Sequence, residues 1–342
     1  MDVQDFQYRL PRNLIAQYPS RERDQSRLMV VHRDTGSLEH RTFRDLPDYL
    51  NEGDVLVIND TKVLKARLIG TKETGGKFEI LVTERMADRT WRCMVKRSRS
   101  LSPGSTVSFG NGLRGRFLGR DESGMWKIAF SCEGDFYEAI DHFGNMPLPP
   151  YIRREGIRPL DEERYQTIFA KRPGSIAAPT AGLHMTHPLL ERVRRAGTSV
   201  VPITLHVNVG TFSPIRTKRV EDHKMASEFF EISPVATEAV NGARERGRRI
   251  IALGTTTTRS LESAVDSEGK LAATAGYSGL FIYPPYRFKM VDALVTNFHL
   301  PGTTLLLLVS AFATPELIMK AYREAIRNEY RFFSYGDGML II

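Results

Sequence analysis

Five polar segments in the C-terminal half of the chain carry the residue types that could do chemistry. Each contains a histidine, arginine, asparagine or aspartate, or a run of glycine and threonine. Each lies where a predicted strand ends and a loop or helix begins. In an open α/β sheet, segments placed this way converge on one site. We therefore predict one shared active site built from residues 178–184, 205–212, 254–259, 296–301 and 331–337.

The threonine-rich segment, Gly-Thr-Thr-Thr-Thr-Arg at 254–259, follows a short buried strand and opens a helix predicted over 259–265. Backbone N–H groups at a helix start, with threonine hydroxyls beside them, can bind an anion or a carboxylate. The segment lacks the Gly-Lys-Ser/Thr ending of a Walker loop, and its single glycine does not make a dinucleotide fingerprint. A polar capping turn explains the spacing equally well.

Three histidines fall inside these segments, namely His184, His206 and His299. Histidine titrates near neutral pH and suits acid–base catalysis. No His-x-x-x-His or Cys/His pair accompanies them, so we expect no metal site. Asp337 could act as a carboxylate partner or base, although a Tyr-Gly-Asp-Gly sequence is also an ordinary turn.

Composition narrows the class of protein. The chain has 342 residues, a formal net charge of +8 and a pI near 9.5, which favours two domains and an anionic partner such as a nucleic acid. Two cysteines, Cys93 and Cys132, cannot hold an iron–sulfur cluster, and we expect buried free thiols in a reducing compartment. The acidic N-terminus does not resemble a signal peptide, and the longest apolar run, 305–313, is too short to span a membrane. We expect a cytoplasmic protein.

Two patterns divide the chain. Helices and strands alternate after residue 146, which predicts an α/β domain with a largely parallel sheet flanked by helices, formed by 1–61 and 146–342. Short alternating strands separated by glycine-rich turns occupy 62–145. They predict a small antiparallel β-barrel inserted into the α/β domain.

A basic stretch lies within the predicted barrel. Residues 91–120 contain seven arginines and lysines and no acidic residue. On a barrel surface they would form a phosphate-contacting patch. The other arginine clusters, at 192–195 and 244–249, are better explained as solvated helix faces.

The five segments also resemble a known family. They contain Ala-Pro-Thr-Ala-Gly-Leu-His, Leu-His-Val-x-x-Gly-Thr-Phe, Gly-Thr-Thr-x-x-Arg-x-Leu-Glu, Val-Thr-Asn-Phe-His-Leu-Pro and Phe-Phe-Ser-Tyr-Gly-Asp. These strings look like those of the S-adenosylmethionine:tRNA ribosyltransferase-isomerases of queuosine biosynthesis. The likeness extends to Asn-Asp-Thr at 59–61 and Met-Pro-Leu-Pro-Pro-Tyr-Ile at 146–152, so it covers essentially the whole chain.

The resemblance implies that the ribosyl group of S-adenosylmethionine is transferred to the aminomethyl group of 7-aminomethyl-7-deazaguanine. The acceptor is the wobble base of tRNAs with a GUN anticodon, and the product is epoxyqueuosine, with adenine and methionine released. The resemblance further implies an α/β fold with an inserted barrel and no cofactor beyond S-adenosylmethionine. We expect a monomer.

The resemblance also directs the assignment of residues to roles. The candidates for proton transfer are His184, His206, His299 and Asp337, without a division into acid and base. The candidates for substrate binding are Thr180, Gly182, Gly254, Thr255, Thr256, Arg259, Asn297 and Tyr335. The candidates for tRNA binding are Arg92, Lys96, Arg97 and Arg99.

Some positions depart from the family pattern, and two other functions are open. Ala226 stands where a histidine is usual, and Asn208 replaces a common glycine. An S-adenosylmethionine-dependent RNA methyltransferase would release S-adenosylhomocysteine, but no glycine-rich cofactor loop with a following acid is visible. An RNA-binding protein without activity would bind tRNA with strong salt dependence and form no product.

Overall fold

The computed structural model describes residues 1–72, 75–87, 89–96, 101–110, 112–153, 159–208 and 214–342. Two predicted tRNA-binding residues, Arg97 and Arg99, lie outside the described residues, as do residues 209–212 of the 205–212 segment. The strands are β1 Arg27–Val31, β2 Leu38–Thr42, β3 Val55–Asn59, β4 Thr61–Val63, β5 Arg67–Lys72, β6 Lys77–Ala87, β7 Thr90–Lys96, β8 Thr106–Ser108, β9 Leu113–Arg120, β10 Trp126–Cys132, β11 Gly144–Asn145, β12 Arg172–Ser175, β13 Ser199–Leu205, β14 Glu228–Ile232, β15 Ile250–Leu253, β16 Thr274–Ser278, β17 Ala293–Asn297 and β18 Gly338–Ile341. The α-helices are α1 Phe136–Phe143, α2 Pro159–Arg164, α3 His187–Arg195, α4 Pro234–Glu245, α5 Thr255–Ser263, α6 Thr304–Phe312 and α7 Pro315–Arg327.

A nine-stranded sheet with the order β16-β14-β13-β3-β15-β17-β18-β1-β2 forms the larger part of the protein. Its four central strands, β13, β3, β15 and β17, are parallel. Strands β18 and β1 are parallel to each other, and β18 is antiparallel to β17. The parallel ladder is therefore central, and antiparallel pairs lie on either side of it. The apolar sequences of β3 and β15 follow from this position, since both strands are fully buried between layers of helices.

The helices that cover this sheet begin and end at recognisable signals. In α4, Ser233 accepts a hydrogen bond from the Ala236 N–H, Pro234 follows, and the chain turns after the helix at Gly247, where φ is +68°. Helix α6 is buried along nearly all its length, and Thr303 caps its N-terminus. No single helix among the described residues is long and apolar enough to cross a membrane; only α6 and α7 together pass that test by length and composition, and they meet at 114°.

The second unit is a closed antiparallel barrel. Strands β5, β6, β7, β10, β9 and β8 follow one another, and pairing between β5 and β8 closes the ring. Apolar side chains alternate inward along β9 and β10, and Phe136 and Ile140 of α1 pack against the same core. Cys93 is a buried free thiol as expected, whereas Cys132 is only half-buried because its strand ends there.

The predicted fold class, an α/β sheet with an inserted antiparallel barrel, is confirmed. The barrel strands fall within 62–145, between β4 and β12, while the exact domain boundaries at 61 and 146 stay a prediction. The fold also explains why the 331–337 segment can join the others. It precedes β18, and since β18 is antiparallel to β17, its start lies beside the end of β17, with Gly338 opposite Asn297.

Candidate functional site

A pocket lies at the end of the sheet where the central strands β15 and β17 finish, and we call it the sheet-edge pocket. Four of the five predicted segments contribute to its lining, whereas the described part of the fifth, residues 205–208, does not. The described residues that line it include no Asp, Glu, Lys or Arg. They are Tyr151, Ala178, Pro179, Thr180, Ala181, Gly254, Thr255, Thr256, Thr296, Asn297, Phe298, His299, Leu300, Thr303, Leu305, Phe333 and Ser334.

The N-terminus of α5 forms one side of this pocket. The helix begins at Thr255, four residues earlier than predicted, because Gly254 adopts a φ of +101° and turns the chain directly out of β15. The threonines are tolerated in the first turn since Thr257 Oγ1 and Thr258 Oγ1 donate to the carbonyl oxygens of Leu253 and Gly254. Gly254 supplies no capping side chain, so the first N–H groups of α5 are available to an anion.

Asn59, at the end of β3, supports the same helix start. Its Nδ2 lies 3.3 Å from Thr256 Oγ1 and donates to the Leu205 carbonyl at 3.0 Å. Sequence reasoning gave Asn59 no role of its own, although a polar residue directly after a fully buried strand is a usable signal. It also gave none to Tyr151 and Ser334, which line the pocket and contact each other through their hydroxyls at 2.5 Å.

His299 is the histidine that lines the pocket. Its Nε2 lies 2.9 Å from Thr296 Oγ1, and among the described residues no partner contacts Nδ1. Burial lowers the pKa of His299 to about 3, so the ring is neutral at physiological pH. Its backbone is fixed on both sides, with the N–H donating to Tyr322 Oη and the carbonyl accepting from Tyr8.

His184 lies behind the pocket and reaches it through Asn297. Its Nε2 is 3.2 Å from Asn297 Nδ2, and its ring stacks on Phe43 with centroids 3.9 Å apart. Burial, followed by repulsion from Arg331, lowers the pKa of His184 to about 3. Asn297 itself lines the pocket, donates from Nδ2 to the Phe333 carbonyl, and has a buried Oδ1 without a hydrogen-bond partner.

His206 lies in a different cleft, between the sheet and the barrel, together with Gly174 and Phe229. Its Nδ1 contacts Thr61 Oγ1 at 2.8 Å and its ring stacks on Phe229. Burial lowers its pKa to about 4, and repulsion from Arg172 adds to the effect. The structure therefore separates His206 from the pocket that holds His299.

Arg259 is likewise kept apart from the pocket. It forms an ion pair with Glu228, and the two side chains are 2% and 1% exposed. Its Nε also donates to the Leu280 carbonyl at 3.1 Å. These contacts tie α5 to strand β14, which lies between β16 and β13 in the sheet, rather than to a ligand.

Three other predicted residues have structural partners. Asp337 accepts from the backbone N–H groups of Arg27 and Arg331 at 2.9 and 2.8 Å, which holds the turn before β18. Tyr335 donates to Asp161 Oδ1 at 2.9 Å. Gly182 faces Phe169, where an added Cβ would lie 2.8 Å from the ring. Thr180, by contrast, lines the pocket.

The described barrel arginine and lysine of the predicted tRNA-binding set form ion pairs. Arg92 contacts Glu84 at 2.5 Å and Asp121 at 2.6 Å, and Lys96 contacts Glu79 at 2.8 Å. The 91–120 stretch lacks acids, but its partners come from neighbouring strands and from a turn at 121. Within the described part of the chain, no group of three or more His, Cys, Asp or Glu side chains could hold a metal ion.

The fold and the pocket define an α/β protein with an inserted barrel and with a pocket, at the ends of its central strands, that contains an uncapped helix N-terminus. The sequence profile of the family described as "Queuosine biosynthesis protein" matches residues 3–341. The chain belongs to this family.

Relatives resemble it along their full length. It is 51% identical to the S-adenosylmethionine:tRNA ribosyltransferase-isomerase of Symbiobacterium thermophilum over 344 residues, and 51% identical to that of Geobacter sulfurreducens over 343 residues, with 100% of both chains covered in each case. A crystal structure of S-adenosylmethionine tRNA ribosyltransferase from Thermotoga maritima is 37% identical and superposes with a TM-score of 0.56, covering 99% of this chain and 100% of that one.

Proposed function

We propose that this protein is an S-adenosylmethionine:tRNA ribosyltransferase-isomerase that forms epoxyqueuosine at the wobble position of tRNA. The observation that carries the proposal is the convergence of four family segments on one pocket, in a chain that matches its relatives from end to end. The ribosyl group of S-adenosylmethionine is transferred to the aminomethyl group of the 7-deazaguanine base. Adenine and methionine are the other products.

The N-terminus of α5 is our candidate for holding the methionine carboxylate. Its first N–H groups carry no capping side chain, and Thr255 and Thr256 line the pocket. A carboxylate placed there is favoured by direct hydrogen bonds and by the helix dipole.

His299 is our candidate for the base. A sulfonium ion acidifies the ribose carbon bonded to it, and a neutral imidazole can accept the proton from that carbon. Burial keeps this ring neutral, but because it lowers the pKa of His299 to about 3, the ring is a weak base in the absence of substrate. The acidity of the carbon beside the sulfonium must therefore drive the proton transfer. Among the described lining residues there is no carboxylate to neutralise the sulfonium, so its acidifying effect is preserved.

The remaining parts of the proposal concern the partner and the conditions. The substrates are S-adenosylmethionine and a tRNA with a GUN anticodon, whose modified base is reached in a single-stranded loop. The exposed basic side chains of the barrel, including Lys96, contact the phosphates of that tRNA. We propose that no further cofactor takes part, and that the protein acts as a monomer in the cytoplasm.

The direct test is incubation with S-adenosylmethionine and tRNA that bears the aminomethyl-deazaguanine. We expect adenine and methionine to be released in equal amounts and the tRNA to gain the epoxycyclopentane group, measured by nucleoside mass spectrometry. Release of S-adenosylhomocysteine would instead indicate a methyltransferase. Binding of tRNA without any small-molecule product would indicate an inactive RNA-binding protein.

A further inference from the structure

We propose that His184 is a positioning residue that holds the Asn297 amide with its oxygen aimed into the pocket, where that oxygen accepts a hydrogen bond from the α-ammonium group of S-adenosylmethionine. This inference rests on the proposed function for the identity of the ligand. In this arrangement Asn297 Oδ1 is a hydrogen-bond acceptor in the pocket, and His184 does not take part in proton transfer.

The orientation of the Asn297 amide follows from its neighbours. One atom of the amide lies 3.0 Å from the Phe333 carbonyl oxygen, which can only accept, so that atom is the nitrogen Nδ2. The same Nδ2 lies 3.2 Å from His184 Nε2. Both hydrogens of Nδ2 are therefore used in these two hydrogen bonds, and Oδ1 is the amide atom without a partner.

The same contacts fix the tautomer of His184. Since Asn297 Nδ2 donates to it, Nε2 carries no proton. Nδ1 is therefore the nitrogen that carries the proton of the neutral ring. Stacking on Phe43 holds the plane of the ring. Nε2, the nitrogen that could accept a proton, is thus occupied by a protein group and is not available to a substrate.

Among the buried polar side-chain atoms of the described residues that lack a hydrogen-bond partner, Asn297 Oδ1 is the one whose residue lines the pocket. A buried acceptor left without a donor destabilises the empty pocket, and a ligand that supplies the donor recovers that free energy. His184 cannot relieve it, because a proton on Nε2 would face the two hydrogens of Asn297 Nδ2.

The α-ammonium group is the donor that fits this place. The Gly254 N–H donates to the Val295 carbonyl at 2.7 Å, so the start of α5 lies directly beside β17, the strand that ends in Asn297. An α-amino acid whose carboxylate is bound at the α5 N-terminus has its ammonium within a few ångströms of that carboxylate. The described pocket lining offers this cation no carboxylate, and a neutral amide oxygen is the acceptor at hand.

The experiment measures the binding of donor analogues by isothermal titration calorimetry without tRNA. For the unaltered protein we expect an S-adenosylmethionine analogue without the α-amino group to bind about 10–100-fold more weakly. Asn297→Ala should lose a similar factor for S-adenosylmethionine, and little further for the deaminated analogue. The loss should persist for decarboxylated S-adenosylmethionine, which keeps the amine. An undiminished Asn297→Ala loss with the deaminated analogue would overturn the assignment to the ammonium.

Two variants of His184 separate positioning from proton transfer. His184→Leu removes the acceptor for Asn297 Nδ2 and should weaken donor binding about tenfold. His184→Gln offers a carbonyl oxygen in its place and should restore most of that binding and of kcat, although it cannot carry a proton. If both variants lose kcat equally, by about 10²-fold or more, His184 acts in proton transfer and the inference is wrong.

Asn241→Ala is the matched control for folding. The Asn241 amide also makes two hydrogen bonds within the protein, in its case both with the backbone of Leu271, and Asn241 does not line the pocket. Its loss should lower the unfolding midpoint without changing donor affinity. Because the binding measurement needs no turnover, a protein that binds S-adenosylmethionine as described but transfers no ribosyl group would refute the proposed function and leave this inference standing.

Discussion

On the barrel, Arg92 lies between Glu84 and Asp121 and Lys96 contacts Glu79, whereas the described lining of the sheet-edge pocket contains no Asp, Glu, Lys or Arg. The pocket uses partial charges instead: the uncapped helix start of α5, a neutral imidazole and an unpaired amide oxygen. A barrel surface solvated by water tolerates full charges at little cost. A buried pocket does not, unless each charge is paired.

This difference suits a donor that brings its own charges. S-adenosylmethionine carries a carboxylate, an ammonium and a sulfonium, and the tRNA carries phosphates. A pocket of dipoles can bind the carboxylate and ammonium while leaving the sulfonium unneutralised, so that the adjacent carbon stays acidic. Fixed dipoles also need no reorganisation when charge develops during the reaction.

Lowering the pH should reduce the free energy of unfolding, because three histidines are neutral in the folded protein. The pKa values of His184 and His299 are lowered to about 3 and that of His206 to about 4, while an unfolded histidine titrates near 6.5. The unfolded chain therefore binds more protons as pH falls below about 6.5, and stability is lost progressively towards pH 3–4. We expect about 2 kcal/mol lost per histidine at pH 5, measured by urea unfolding at pH 7.5 and pH 5. A free energy of unfolding that is flat across this range would show that these rings are not buried in their neutral form.

Removing the proposed base should have the next largest effect. His299→Gln is expected to lower kcat by about 10²–10⁴-fold, because glutamine cannot accept the proton, with a much smaller change in donor affinity. His206→Gln is the paired variant, since His206 is a half-buried neutral histidine in the other cleft. It should reduce kcat far less. Single-turnover adenine release measures the rates of both variants. Equal losses would contradict the assignment of proton transfer to His299 in the sheet-edge pocket.

Distorting the α5 start should have an intermediate effect. Gly254→Ala forces a side chain into a φ of +101°, at a cost of about 1 kcal/mol, and tilts the N–H groups that we assign to the carboxylate. We expect the Kd for S-adenosylmethionine to rise about tenfold, measured by calorimetry. Gly247→Ala is the control, because Gly247 also has a positive φ, +68°, with no atom near an added Cβ. A similar rise in Kd for Gly247→Ala would mean that strain, not the helix start, weakens binding.

Much of this comparison could be predicted from the sequence, and some of it could not. The convergence of segments at one edge followed from polar residues after buried strands, such as Asn297 after β17. The sorting of His206 from His299 did not, because it depends on where the barrel packs against the sheet. The ion-pair partners of Arg259 and Arg92 could not be predicted either, since Glu228 and Glu84 lie on other elements of the fold. Spacing along the chain carries no information on such long-range pairs.

The start of α5 shows a different limit. The sequence predicts a helix only from Arg259, with the threonine run at 255–258 as the polar segment that opens it. In the structure the hydroxyls of Thr257 and Thr258 bond to carbonyls four residues earlier, and the glycine before the run reverses the chain. Burial of the threonines then favours helix over their low intrinsic helix propensity. The helix therefore starts at Thr255, and the N–H groups of the threonines themselves can face a ligand.

The smallest expected effect concerns the barrel. If its surface contacts tRNA phosphates, Lys96→Ala should make the negative slope of log Kobs against log salt less steep by about 1. The Lys96 side chain is 73% exposed, so it can leave Glu79 and contact a phosphate. Arg92→Ala should change the slope less, since Arg92 is 33% exposed and is held by Glu84 and Asp121 together. Filter binding of tRNA across a salt series measures both slopes. If neither slope changes, Lys96 and Arg92 do not touch the phosphates, and the tRNA contacts must come from other basic residues of this protein.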